Sequence, residues 1–241
     1  MWRRLVCTVL AWCMAAPVLA ADTDGLLVAA GAGYRRPVMQ LLEDFSAQSG
    51  IRAEGSFGNM KQVEAQARQN PEIALLIGDQ VFLEPMGLAE TFELLGKGRL
   101  VLVAAKGHDI RAVQDLRDPR FKRIALPDRT KAVYGNAANT CLQRLGLNEA
   151  LAGRILEVAT VPQVGTYLAT GEVDAGFVNR TEALALAGRV GATIDAPEDC
   201  YDPIVLSVGV IKGRAGTPAV RAFLEYLRSP KARSVLERHG M

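Results

Sequence analysis

The apolar residues come in short continuous blocks, and most of these blocks are separated by stretches with helical periodicity. Leu26 to Ala30 is apolar without alternation, which predicts a strand buried on both faces. Val38, Leu41, Leu42 and Phe45 follow at the spacing of one helical face, with Pro37 suited to a first turn and Gly50 to the stop. The alternation repeats as a strand over 51–54, a helix over 60–69 stopped by Asn70-Pro71, and a strand over 73–77. Patterning is weak and polar up to Gly98, after which 100–105 forms another apolar block.

A second series begins after Gly107. It predicts a short helix over 113–116, strands over 123–126, 155–158 and 175–178, and helices over 136–145, 161–170 and from 179 onwards. Glu182 stands three residues after Asn179, the spacing of a capping box. The last section is a long apolar strand over 204–211 and two helices, 217–227 and 230–240. Repeated strand–helix units signal mostly parallel sheets flanked by helices, an α/β fold. The two series predict two lobes joined by crossing strands, and clefts between lobes are preferred ligand sites. The expected division places residues 21–104 and 205–241 in the first lobe and 105–204 in the second.

Residues 1–20 stand apart from this pattern. Arg3 and Arg4, an apolar run from Leu5 to Ala16 and the small-residue site Val18-Leu-Ala20 predict a cleaved secretory leader. The expected location is the periplasm. The chain has 28 basic and 26 acidic residues, so loss of Arg3 and Arg4 leaves 26 of each. A nucleic-acid binder normally carries a basic excess, and none is expected here. Cys7 and Cys13 leave with the leader. The remaining Cys141 and Cys200, in an oxidising compartment, predict one disulfide.

Catalytic chemistry finds little to use. The two histidines, His108 and His239, have no nucleophile beside them, and neither a Gly-x-Ser-x-Gly elbow nor a phosphate-binding loop is present. The cysteines lack metal-ligand spacing. Gly31-Ala-Gly33 starts like a dinucleotide fingerprint but has no third glycine. No enzyme, cofactor or metal centre is therefore expected. The loops after strands are more informative, because in an open α/β sheet they face the ligand crevice. Residues 31–34, 56–59, 127–134, 161–162 and 179–180 are such loops. Each precedes a helix, whose first N–H groups lack partners and attract anions.

Over nearly its whole mature length the chain resembles the substrate-binding proteins of molybdate-type ABC importers. The similarity is carried by residues 26–30, 94–106, 170–178 and 202–211, and by the segment from Val220 to Gly240. The resemblance implies the two-lobed periplasmic binding protein fold (type II), with two hinge strands and an oxyanion such as molybdate held between lobes. It also implies a monomer that docks on an ABC permease in the inner membrane. A metal chelate or an organic anion as ligand, or a sensing module that docks on a membrane receptor, are the alternatives. Combining the positions matched to the family with their neighbours in the same loops, the expected ligand set is Gly31, Ala32, Gly33, Tyr34, Ser56, Gly58, Asn59, Lys131, Val133, Tyr134, Val161, Asn179 and Arg180. The family's first-loop Ser is replaced by Ala32 and its Tyr by Asn179. Hydroxyl donors are thus lost, while Tyr34, Arg35, Lys131 and Arg180 stand nearby.

Overall fold

The computed structural model describes residues 25–241; the expected leader lies outside them. Ten strands form two five-stranded sheets with the same plan. The first contains β1 (Leu26–Gly31), β2 (Ala53–Gly58), β3 (Ile73–Asp79), β4 (Ala89–Gly98) and β10 (Ile204–Ile211), in the order β2-β1-β3-β10-β4. The second contains β5 (Leu100–Ala104), β6 (Ile124–Pro127), β7 (Ile155–Val158), β8 (Ala175–Asn179) and β9 (Thr193–Asp195), in the order β7-β6-β8-β5-β9. In each sheet three strands run parallel, and the remaining two pair antiparallel at one side.

The helices flanking the first sheet are α1 (Arg35–Ser49), α2 (Met60–Gln69), α3 (Gln80–Leu83), α7 (Pro218–Leu227) and α8 (Pro230–Arg238). Those of the second lobe are α4 (Val133–Arg144), α5 (Val161–Thr170) and α6 (Arg180–Ala185). The strands β3, β5, β6 and β8 are buried at every position, which is why they read as unbroken apolar blocks. Among the described residues no helix is long and apolar enough to cross a membrane. Cys141 of α4 is disulfide-bonded to Cys200.

Three expectations shift. Leu100–Ala104, placed in the first lobe from the sequence, pairs with β8 and β9 in the second sheet, so the chain crosses at Arg99. The weak region before Gly98 is a ten-residue strand, β4. It is an edge strand with two register shifts against β10, and both features blur the apolar alternation. Residues 55–58 are strand rather than loop: Gly55 to Gly58 pair with Val28 to Gly31 at the other edge of the same sheet.

Candidate functional site

The strand ends of the two lobes face one another, and helix N-termini fill the space between them. In the first lobe, β1 ends in a single 3-10 turn, Ala32–Tyr34, that runs directly into α1. Small residues are needed there. A Cβ on Gly31 would sit 3.2 Å from the Tyr34 ring, and one on Gly33 would sit 3.0 Å from Asn179 Nδ2 across the cleft. Asn59 caps α2: its Oδ1 accepts from the Gln62 N–H at 3.0 Å, and Gln62 Oε1 accepts from the Asn59 N–H at 2.9 Å. The Met60 N–H donates at 2.8 Å to the Lys131 carbonyl of the second lobe.

The second lobe contributes the starts of α4 and α5. Helix α4 begins at Val133, three residues earlier than the sequence predicts, so Tyr134 lies in its first turn. Gly135 permits this close approach, since a Cβ there would meet the Asp128 carbonyl at 2.2 Å. Helix α5 begins at Val161, and Gln163 Oε1 accepts from the N–H groups of Ala159 and Thr160 at 2.8 and 3.2 Å.

Together these four N-termini enclose a cavity. The first lobe lines it with Gly31, Ala32, Gly33, Tyr34, Gly58, Asn59 and Met60; the second lines it with Ala132, Val133, Tyr134, Thr160 and Val161. The centre of a water-sized atom can move through about 20 Å³ of it. Ala32, Gly33, Val133, Tyr134 and Val161 lie in first turns, where N–H groups have no acceptor within their own helix.

No lining residue carries a charge. The polar side chains are Asn59, Thr160 and two buried tyrosines whose hydroxyls meet across the cleft at 3.2 Å. Burial raises the pKa of both Tyr34 and Tyr134 well above the ordinary phenol value, so both remain protonated donors at physiological pH. Asp79, at the carboxyl end of β3, is also buried. Burial pushes its pKa up to about 6, against the stabilising N–H groups of Val205, Val81 and Gln80. Its charge in turn raises both tyrosines slightly further.

Nine of the thirteen sequence-predicted residues line the cavity, and four do not. Ser56 lies within β2 and its hydroxyl donates to Gln66 Oε1 at 3.1 Å. Lys131 turns its ammonium to Asp128 at 3.1 Å. Arg180 pairs with Asp195 at 3.0 Å. Asn179 is buried but spends its amide on the α6 N-cap and on the Gly33 carbonyl. Of the other nearby cations, Arg35 stacks over Phe57 and Arg36 pairs with Glu182. Met60, Ala132 and Thr160 are lining residues that the sequence reading omits. Thr160, three before Gln163, carries a legible helix-start signal, and Met60 directly follows the Asn59 cap.

Comparison with known proteins adds a family to this geometry. The family model described as bacterial extracellular solute-binding protein matches residues 26–241. The molybdate-binding protein ModA of Azotobacter vinelandii is 29% identical over 98% of this chain and 96% of its own. The solved structure of the periplasmic molybdate-binding protein from Azotobacter vinelandii superimposes with a TM-score of 0.81 at 26% identity, covering 89% of this chain and 97% of that one. The sulfate-binding protein SubI of Mycobacterium tuberculosis shares the fold alone, with a TM-score of 0.73 at 15% identity over 90% of this chain and 85% of its own.

Proposed function

Because the chain belongs to the bacterial extracellular solute-binding proteins, and to their molybdate-type ABC importer branch, we propose that it carries a small tetrahedral oxyanion, molybdate or tungstate, to a membrane permease. One observation carries this reading: four helix N-termini converge on a compact cavity whose walls hold no charged side chain. Each N-terminus carries up to roughly half a positive charge, so their convergence on one uncharged cavity favours an anion. The same field repels a free cation.

The Tyr34–Tyr134 pair supports the reading in a second way. Within a hydroxyl pair one proton is used between the partners, and the other remains to be donated to a ligand oxygen. A wall with hydroxyl and N–H donors and no charge suits an oxyanion that carries no proton of its own. Lobe closure around the ion, with contacts that exist only in the closed state, then supplies the transport-competent form.

The test is thermal stability with millimolar molybdate, tungstate, sulfate, phosphate and citrate. A ligand present at about 100 times its Kd stabilises by about 2.7 kcal/mol. Molybdate and tungstate are expected to raise Tm clearly above the other anions. Absence of any shift with either of them overturns the assignment.

A further inference from the structure

We propose that the start of α6 is a clasp that holds the two lobes together and sets the residence time of the ligand without touching it. The proposal rests on the reading of the cavity as a ligand site. Three neighbouring residues reach from the second lobe to three separate places on the first. Asn179 Nδ2 donates to the Gly33 carbonyl at 2.9 Å. Thr181 Oγ1 donates at 2.9 Å to the carbonyl of His239, just beyond α8. Glu182 forms an ion pair with Arg36 on α1.

All three side chains are polar and nearly fully buried, with relative exposures of 1%, 3% and 3%. Buried polar groups persist where they have partners. Apart from Tyr134, which the Asn179 side chain also approaches within its own lobe, the partners outside α6 itself belong to the opposite lobe. None of the three lines the cavity, so none is held in place by ligand chemistry. Gly165 on α5 shapes the clasp from behind, because a Cβ there would lie 2.4 Å from Glu182 Oε1.

Asn179 joins closure to the ligand loop. One end of its amide accepts the Glu182 N–H at 2.9 Å and so starts α6; the other holds the carbonyl of Gly33, a residue of the cavity wall. When the second lobe withdraws, the cap stays and the Gly33 bond breaks. Asn179 is therefore a positioning residue, acting on the ion through the Gly33 turn.

The test compares the mature wild type with Asn179→Asp and Arg36→Ala. Asp preserves an N-cap acceptor but turns a carboxylate oxygen towards the Gly33 carbonyl. Where that variant fails to fold, Asn179→Ser keeps a capping hydroxyl and withdraws the donor. Two readouts are used: the dissociation rate of labelled molybdate, and the inter-lobe distance distribution between one spin label on each lobe without ligand. Asn179→Asp is expected to speed dissociation by about tenfold and Arg36→Ala by about threefold, with both distributions shifted to longer distances. If molybdate does not bind the wild type, the ligand assignment fails and the clasp is judged on distances alone. Identical distributions in wild type and variants overturn the clasp, as does an unchanged dissociation rate where molybdate binds.

Discussion

Replacing the two cleft tyrosines by phenylalanine, singly and together, gives a binding cycle whose shape follows from the geometry. Their hydroxyls lie 3.2 Å apart, one from each lobe, and both side chains line the cavity. One proton is shared within the pair, leaving a single donor for the ion. Tyr134→Phe removes the acceptor of Tyr34, whose hydroxyl is then free to turn to the ion; Tyr34→Phe leaves Tyr134 in the same position. Each single variant should therefore lose little affinity, about threefold or less. The double variant loses the donor outright. A hydrogen bond to a charged acceptor is worth about 1.5–3 kcal/mol, so the double change should weaken binding about 10- to 150-fold. The cycle is thus strongly non-additive. Because burial holds both phenols well above their ordinary pKa, the losses should be the same at pH 6 and pH 9. Calorimetric titration with molybdate reads all four affinities. Additive single losses, or a double variant within threefold of wild type, refute the shared-donor arrangement.

Arg180→Ala and Lys131→Ala should leave molybdate affinity within about twofold by the same titration, since both cations are engaged with carboxylates away from the cavity. Asp79→Asn should affect stability in a pH-dependent way. The folded-state pKa is raised to about 6 from the usual 3.8, so the wild type loses stability as pH rises through that interval, when the unfolded carboxyl has ionised and the buried one resists. The variant's advantage in Tm should therefore be near zero at pH 4, grow up to pH 6 and stay level above it; a constant difference across that range would refute the raised pKa. Cys200→Ser opens the link between Cys141 and Cys200, which are separated by 59 residues, and should lower the denaturation free energy by about 4 kcal/mol in urea, less any strain relieved.

Legibility in the sequence followed burial. The central strands β1, β3, β5, β8 and β10 were apparent because sheet neighbours and helices cover them, forcing unbroken apolar blocks. Of the edge strands β7 was read over its observed span, 155–158, whereas β2 was placed too early and β4 and β9 were missed. The segment Gly55–Gly58 has the composition of a turn, yet backbone pairing to β1 alone suffices to hold it extended. Strand β4 carries Glu90, Glu93 and Lys97, which suit an exposed edge and hide the period. The site was legible as a set of helix starts, since strand–loop–helix order dictates where N-termini gather. Side-chain direction was not. Sequence adjacency made Lys131 and Arg180 look available, whereas Asp128, three residues before the lysine, and Asp195, in the strand beside β5, had prior claim on them. Asn179 stood at a family ligand position but was already committed by its own cap.

The loss of family hydroxyls at Ala32 and Asn179 therefore does not call for a cation in compensation. A guanidinium in the cavity would attract any anion and would bring a hydrated, adaptable charge into a space that admits a compact ion. Helix N-termini offer similar field strength from backbone groups that sheet and core hold rigid, and that arrive in fixed directions. Two phenolic hydroxyls remain in the cavity wall, those of Tyr34 and Tyr134, which meet across the cleft. Discrimination by a neutral wall then depends on fit: an ion too small leaves first-turn N–H groups buried without partners, at about 1–3 kcal/mol each, while one too large holds the tyrosines apart. The tyrosine pair draws one side chain from each lobe, so the cavity wall is complete only where the two lobes face one another.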